Sequence, residues 1–292
     1  MATIQIVSDL HLEATNAYNT IEIPPKAPYL ALLGDIGNTE QAEPFTSFLD
    51  RQLRQFQVVL LVPGNHEPYR STWEESKAFF RRYEDDVRQR RAVGEAIGSF
   101  VLLDRTRHDI PGTTVTILGC TLFSSVPAAK APAVQTLLND FKYIRDWAVE
   151  DHDRAHQADL DWLNAQVESL ADGAEPGQPG RTIAVLTHHS PTADKRASNP
   201  RHENTPIHPA FVTDLARQPC WTARAVVLWA FGHTHFNCDF RDWRTGKRVY
   251  ANQRGYFADV PGWDVGRVVE IPGQVPRCAG RLLGLTDGCV VN

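Results

Sequence analysis

Five short apolar runs along the 292-residue chain each stop at a polar cluster that contains Asp, Asn or His, and this pattern constrains the fold most strongly. The runs are Thr3–Val7, Tyr29–Leu33, Val58–Val62, Thr182–Leu186 and Ala225–Phe231. Short and continuous hydrophobicity is typical of strands that are covered on both faces. The sequence therefore predicts an α/β fold with helices outside the sheet.

Apolar side chains recur at helical spacing between these runs, which predicts helices over Phe45–Phe56, Trp73–Val93 and His156–Leu170. Further strand candidates predict a second, more antiparallel sheet: Phe100–Leu103, Val115–Leu122, Phe236–Phe240 and Arg248–Ala251. The turn-rich segment Ala174–Arg181 is typical of a linker or surface loop. Because the strands on both sides of it have the same polar endings, we expect one domain over residues 1–292.

Several classes of protein are disfavoured by composition. The longest apolar runs fall far short of the ~20 residues that span a bilayer. The N-terminus enters a strand pattern without a basic head, so we expect no secretory signal and a cytoplasmic protein. The net charge of -5 gives no global attraction to nucleic acid or anionic membrane. The five cysteines form no CxxC pair, and we expect them to be reduced. Protein partners stay undetermined.

The polar clusters bring many potential metal ligands to the predicted strand ends. They contribute Asp9, His11, Asp35, Asn65, His66, His188, His189, His233 and His235. Ligands bind in the crevice beyond the carboxyl ends of strands in such sheets, and imidazole and carboxylate groups bind zinc, iron and manganese. The candidates outnumber the four to six ligands of one ion, which indicates two ions that share Asp35. Each motif alone is more often a turn or a hydrogen-bonded histidine, but five in order are hard to explain that way.

The motif series also resembles that of a known family. The motifs of this chain are Asp9-X-His11, Gly34-Asp35, Gly64-Asn65-His66-Glu67, His188 and Gly232-His233-X-His235. As a series they resemble the motifs of the calcineurin-like metallophosphoesterases. The resemblance implies a two-sheet β sandwich flanked by helices. It implies that one ion is held by Asp9, His11, Asp35 and His235, and the other by Asp35, Asn65, His188 and His233. His66 would be the histidine that protonates the leaving group or stabilises the transition state without binding metal.

The resemblance implies a hydrolase of phosphate esters, and two ions held by such ligands can supply a metal-bridging hydroxide as its nucleophile. We expect a phosphodiesterase acting on small diesters or cyclic nucleotides, with manganese, iron or zinc as the two ions. Phosphoprotein phosphatases carry a second Asp and an Arg after Gly-Asp, and the segment Gly34–Asn38 lacks both. A phosphomonoesterase is the alternative enzyme, and a catalytically silent metal-binding scaffold is the alternative from another class.

Four further residues are candidates for substrate contact. His189 follows a predicted ligand, so it touches substrate or orients the loop. Arg196 and His202 lie in a polar segment after Ser190-Pro191, where directed donors could bind phosphate oxygens. Arg254 follows a later strand candidate and offers the same chemistry. Solvated loops often have this composition without any binding role. The C-terminal stretch from Pro272 has no pattern that we can interpret.

Overall fold

The computed structural model describes residues 1–172, 180–257 and 259–273. Its strands are β1 (Ala2–Val7), β2 (Tyr29–Leu33), β3 (Val58–Val62), β4 (Ser99–Leu102), β5 (Thr106–Asp109), β6 (Val115–Cys120), β7 (Thr182–Thr187), β8 (Val226–Phe231), β9 (Cys238–Arg241), β10 (Arg248–Ala251) and β11 (Val268–Ile271). Its helices are α1 (Ala42–Leu53), α2 (Trp73–Ala92), α3 (Ala131–Leu137), α4 (Asp140–Tyr143), α5 (Val149–Asp172) and α6 (Pro219–Thr222). Most of the predicted linker and of the C-terminal stretch, with Cys278 and Cys289, lies outside the described residues.

The first sheet has the strand order β11-β1-β2-β3-β4. Strands β1 to β4 are parallel, and β11 pairs antiparallel with β1 at one edge. Every residue of β2 and β3 is buried, as their continuous hydrophobicity predicts. The carboxyl ends of β1, β2 and β3 therefore open on the same edge of this sheet.

The second sheet has the order β5-β6-β7-β8-β10-β9. We expected a more antiparallel sheet, but its central pairs β6/β7, β7/β8 and β8/β10 are parallel. Antiparallel pairing occurs at the two edges, in β5/β6 and β9/β10. The expectation was wrong for the centre of the sheet, because β7 and β8, two of the five strong apolar runs, belong to this sheet. Helices α5 and α6 lie in the crossover connections that parallel neighbours need.

The layers are packed as the sequence predicts. Side chains from the facing surfaces of the two sheets form one core, which includes Leu60, Ile117 and Leu186. Helices α1 and α2 cover the outer face of the first sheet, where Phe48 and Phe80 are buried. Helix α5 covers the outer face of the second sheet. The result is the expected sandwich of two sheets flanked by helices. Among the described residues, no helix combines the length and hydropathy needed to cross a bilayer.

Candidate metal centre

The ends of five strands from both sheets meet at one edge of the sandwich. Strands β1, β2 and β3 lead into Asp9, Asp35 and Asn65, and strands β7 and β8 lead into His188 and His233. Backbone bonds join the two sheets at this edge, since the Ser8 N–H donates to Asn252 O and the Arg254 N–H donates to Ser8 O. The sequence thus places its polar strand endings in a single crevice.

Unusual backbone conformations mark the same crevice. Asp9, His11, Asp35, His233 and His235 have φ of 53°, 46°, 53°, 67° and 46°. Left-handed conformations are uncommon for residues other than glycine and cost free energy, so they persist only where the surroundings impose them. Their concentration on five candidate ligands indicates that the loops are built to aim these side chains.

The first group of candidate ligands consists of Asp9, His11 and His235. Their nearest ligand atoms lie within 4.8 Å of one another. His235 Nε2 is 3.3 Å from Asp9 Oδ1 and 3.0 Å from His11 Nε2. The Asp9 carboxylate is fixed from behind, because it accepts hydrogen bonds from Ser8 Oγ at 2.6 Å and from the His233 N–H at 3.0 Å. Two imidazole nitrogens and a carboxylate oxygen that converge in this way suit a transition-metal ion.

The second group consists of Asp35, His188 and His233, again within 4.8 Å. His188 Nε2 lies 3.3 Å from Asp35 Oδ1 and 2.9 Å from Asn65 Oδ1. His188 Nδ1 donates to Leu33 O at 2.8 Å, which turns Nε2 toward the site. Burial alone would lower the pKa of His188, but the Asp35 carboxylate outweighs it and raises the pKa to about 10. The site therefore favours positive charge.

The Asp35 carboxylate lies between the two groups. Its Oδ1 faces His188, and its Oδ2 is 3.9 Å from His11 Nε2 and also 3.9 Å from His66 Nε2. Although burial alone raises the pKa of Asp35, the surrounding imidazoles His188 and His66 bring it well below its usual range. The carboxylate is thus ionised and placed where the sequence expects a bridge.

One buried nitrogen tests whether this residue set fits a metal ion. Nε2 of His233 is buried and has no hydrogen-bond partner among the described residues. A buried polar atom without a partner costs free energy, and an imidazole nitrogen beside two carboxylates is a standard metal donor. The donor set, with this orphaned nitrogen, fits a metal ion.

Glu13 is a functional candidate that sequence reasoning missed. Its Oε1 lies 2.9 Å from His66 Nδ1 and 3.4 Å from His11 Nδ1. Burial alone lowers the pKa of His66, but the carboxylates of Asp35 and Glu13 outweigh it and raise the pKa to about 9. The position of Glu13, two residues after His11, was the available signal.

His66 has partners on both ring nitrogens. While Glu13 faces Nδ1, the hydroxyl of Tyr256 lies 2.8 Å from Nε2. The Tyr256 ring stacks on His11 with centroids 3.9 Å apart. Nε2 is therefore the atom of His66 that faces the crevice, and Tyr256 covers this part of it.

Asn65 is held by a second acidic residue that the sequence did not single out. Its Nδ2 donates to Asp140 Oδ1 at 2.8 Å, and the Tyr69 hydroxyl donates to the same oxygen at 2.7 Å. These bonds leave Asn65 Oδ1 pointing at His188. Asp140 begins α4, more than seventy residues away in the chain, so only the folded structure reveals the contact.

Glu67 supports the loops rather than facing the crevice. Its buried carboxylate accepts hydrogen bonds from the N–H groups of Gly64 at 2.7 Å, Asp35 at 3.0 Å and Ile36 at 2.8 Å. A Cβ on Gly64 would collide with the Asp35 side chain. Glycine and glutamate at these positions therefore let the loops after β2 and β3 pack closely.

Comparison with known proteins agrees with this geometry. The family model of the calcineurin-like phosphoesterase matches residues 2–237. The chain belongs to the calcineurin-like phosphoesterase family. It is therefore a metal-dependent phosphoesterase, as the motif series predicts.

Similar proteins are known from several organisms. An uncharacterized protein of Acanthamoeba polyphaga mimivirus is 25% identical over 286 residues, which cover 88% of this chain and 92% of that protein. The crystal structure of a phosphopantetheinyl hydrolase from Mycobacterium tuberculosis superposes with a TM-score of 0.59 at 19% identity, covering 87% of this chain and 90% of that one. A dimetal phosphatase from Danio rerio gives a TM-score of 0.47 at 12% identity, with 88% of each chain covered. The mycobacterial match supports the fold of this phosphoesterase.

A cavity of about 570 Å³ opens above the metal centre of this phosphoesterase. Its lining includes residues of that centre, namely Asp35, Asn65, His66, His233 and His235. Its walls are largely apolar and are formed by Leu138, Phe211, Phe236, Val260 and Pro261. A cavity of this size accommodates a ligand well beyond a bare phosphate group.

One of the four residues predicted to contact substrate lines this cavity, and the other three do not. His202 lines it, whereas the side chains of His189, Arg196 and Arg254 are not part of its lining. His189 is fully buried and packs on His233 with centroids 4.2 Å apart.

The two arginines are engaged elsewhere. Arg196 Nη2 pairs with Asp194 at 2.7 Å, and its guanidinium lies over Phe240 at 4.0 Å. Arg254 pairs with Asp259 at 3.4 Å. Neither guanidinium is part of the cavity lining. Arg201, which the sequence analysis passed over, lines the cavity instead.

Proposed function

We propose that this phosphoesterase hydrolyses small phosphodiesters or cyclic nucleotides with the help of two metal ions. The proposed ligands are Asp9, His11, Asp35, Asn65, His188, His233 and His235. The observation that carries the proposal is the position of Asp35, whose two carboxylate oxygens face different ligand groups, His188 on one side and His11 on the other. A carboxylate so placed can serve two ions at once.

The metal ions and the chain's own residues have separate roles in this proposal. When bound, paired divalent ions supply an activated water at neutral pH and neutralise charge on the phosphoryl oxygens. Nitrogen and oxygen donors of this kind suit manganese, iron and zinc alike. His66 carries the proton for the departing oxygen on Nε2, because Nδ1 is paired with the Glu13 carboxylate while Nε2 lies 3.9 Å from Asp35 Oδ2 and has only the Tyr256 hydroxyl as its hydrogen-bond partner among the described residues. A group at this position acts as a general acid.

The charge of the cavity favours a diester over a monoester. Among the described residues that line it, Asp35, Asp140 and Asp259 are acidic, and the single lysine or arginine, Arg201, lies in the turn Pro200–His202 and not at the strand ends that would hold the reacting phosphate. A phosphomonoester is largely a dianion at neutral pH, while a diester is a monoanion and needs less compensating charge. The apolar walls also leave room for a substituent on each ester oxygen. The net charge of -5 argues against a polyanionic nucleic acid as partner.

A comparison of two chromogenic substrates tests the proposal. Protein supplied with manganese should turn over bis-p-nitrophenyl phosphate with a higher kcat/KM than p-nitrophenyl phosphate. The opposite preference would make the protein a phosphomonoesterase. If neither compound is cleaved although metal is retained, a catalytically silent metal-binding scaffold is the better description.

Replacement of His66 separates proton transfer from metal binding. His66→Ala should keep the metal content nearly unchanged and lower kcat by about 10²–10⁴-fold, the usual contribution of a general acid. His208→Ala, which removes a histidine outside the centre, is the matched control and should leave both quantities unchanged. Loss of metal in His66→Ala would overturn the assignment of His66 as a residue that does not bind metal.

A further inference from the structure

The cavity at the metal centre also has a cationic residue in its lining. The residues that line it include Asp35 and His233 at the metals and Arg201 and His202 on the loop after β7. A molecule with its phosphate at the metal centre can therefore extend toward Arg201 within one continuous space. The lining also includes apolar side chains, among them Leu138 and Val260.

Arg201 differs from the other cations of this loop. Lys195 pairs with Glu203 at 3.1 Å, and Arg196 pairs with Asp194 at 2.7 Å. In the part of the chain that the structure describes, no carboxylate lies within ion-pairing distance of Arg201. The acidic residue Asp259 also lines the cavity, but it pairs with Arg254. The guanidinium of Arg201 thus has its donors available for an anion.

The loop fixes Arg201 relative to the metal centre. Asn199 Oδ1 accepts a hydrogen bond from the Arg201 N–H at 3.1 Å and so holds the short turn Pro200–His202. The His202 ring stacks on Phe211 with centroids 5.3 Å apart, and Phe211 stacks on the metal-ligand candidate His233 at 4.8 Å. Three packed rings therefore connect the turn to the metal centre.

We propose that the substrate carries a second phosphate group, which Arg201 binds while the reacting phosphate lies at the metal centre. The proposal rests on the proposed function and adds a substrate class: phosphate esters whose two phosphates are separated by a largely apolar spacer. Guanidinium and phosphate form paired, charge-assisted hydrogen bonds, so the second phosphate would contribute strongly to affinity. His202, next to Arg201 in the chain, also lines the cavity.

A length series of inhibitors tests this proposal. Alkanediol bisphosphates with three to eight carbons are compared with alkyl monophosphates of equal length as inhibitors of bis-p-nitrophenyl phosphate hydrolysis. We expect at least one bisphosphate to inhibit at a concentration about tenfold or more below that of its monophosphate counterpart. Arg201→Ala should abolish this advantage. Arg217→Ala, which removes an exposed arginine outside the cavity, should retain it.

The outcomes separate the two proposals. If no chain length shows a bisphosphate advantage, or if the advantage persists in Arg201→Ala, the second phosphate site is wrong. If the chromogenic diester is not cleaved, the proposed function fails. The same inhibitor pairs are then measured by titration calorimetry on the manganese-loaded protein, where a bisphosphate advantage that depends on Arg201 supports the site and its absence overturns it.

Discussion

The carboxylate of Glu13 lies 2.9 Å from Nδ1 of His66, and it thereby joins the loop after β1 to the loop after β3. Glu13 is ionised, because the imidazoles of His11 and His66 outweigh its burial and lower its pKa to about 2. An ionised partner at Nδ1 fixes the orientation of the ring and keeps a proton on it. Glu13 is thus a positioning residue for the proposed general acid.

Removal of the charge of Glu13 should slow turnover without removing metal. Glu13→Gln preserves the shape of the side chain but withdraws the negative charge that raises the pKa of His66. Protonated His66 then persists only to lower pH, so the decline of kcat at alkaline pH should begin earlier than in the wild type. We expect kcat to fall about tenfold or more with little change in KM.

Pre-steady-state and steady-state kinetics over pH 6–10, together with elemental analysis, check this expectation. Glu22→Gln, at an exposed position, is the control. A higher KM at unchanged kcat would show that Glu13 acts on substrate binding instead.

Loss of Asp140 should weaken one metal site more than the other. Asp140 accepts the hydrogen bond that orients Asn65, and Asn65 belongs to the proposed second site. Partners of metal ligands typically contribute 10–100-fold in affinity. Asp140→Ala should therefore lower manganese affinity at one of two sites by about that factor.

Titration calorimetry with manganese resolves the two steps. Tyr69→Phe, which removes a hydroxyl from the same carboxylate but leaves Asn65 paired, should have a smaller effect. Equal weakening of both sites in Asp140→Ala would refute a role through Asn65.

The buried imidazole of His152 should make the fold sensitive to acid. Burial and the nearby His156 lower the pKa of His152 to about 3, and its Nε2 accepts the N–H of Ser124 at 3.1 Å. The unfolded chain therefore binds this proton more tightly than the folded chain. Stability is full above pH 6.5 and is lost as the pH falls toward 3, with a loss of about 2 kcal/mol between pH 8 and pH 5.

Urea unfolding at both pH values, with a chelator present, measures this effect. His152→Gln retains an acceptor for Ser124 but cannot bind the proton. The variant should lose about 2 kcal/mol less than the wild type between the two pH values. Equal losses would mean that His152 does not contribute to the acid sensitivity.

Much of the fold follows from local sequence, and the reason is physical. The strands Tyr29–Leu33 and Val58–Val62 have the predicted bounds, because a continuous apolar run between turn residues has few other ways to be buried. Helix α5 begins at Val149 rather than at His156, since its first two turns are rich in polar residues and carry little apolar periodicity. The parallel centre of the second sheet was not predicted, because the spacing of strands along the chain does not reveal which strands pair.

The candidate site, like the fold, could be predicted from the sequence only in part. The strand-end motifs predicted which of the proposed ligands would converge, because strands hold their carboxyl ends rigidly at one edge. Glu13 and Asp140 were missed because their importance lies in contacts with His66 and Asn65 that only folding creates. The sequence analysis named Arg196 and not Arg201, and composition does not show that Asp194 already pairs with Arg196.

The central claim is that Asp35 lies between two metal ions, and anomalous X-ray scattering from crystals loaded with manganese tests it most directly. The account predicts two anomalous peaks per chain, one near Asp9, His11 and His235 and the other near Asn65, His188 and His233, with a carboxylate oxygen of Asp35 as ligand to each. A single peak, or two peaks of which one lies beyond reach of Asp35, would contradict it.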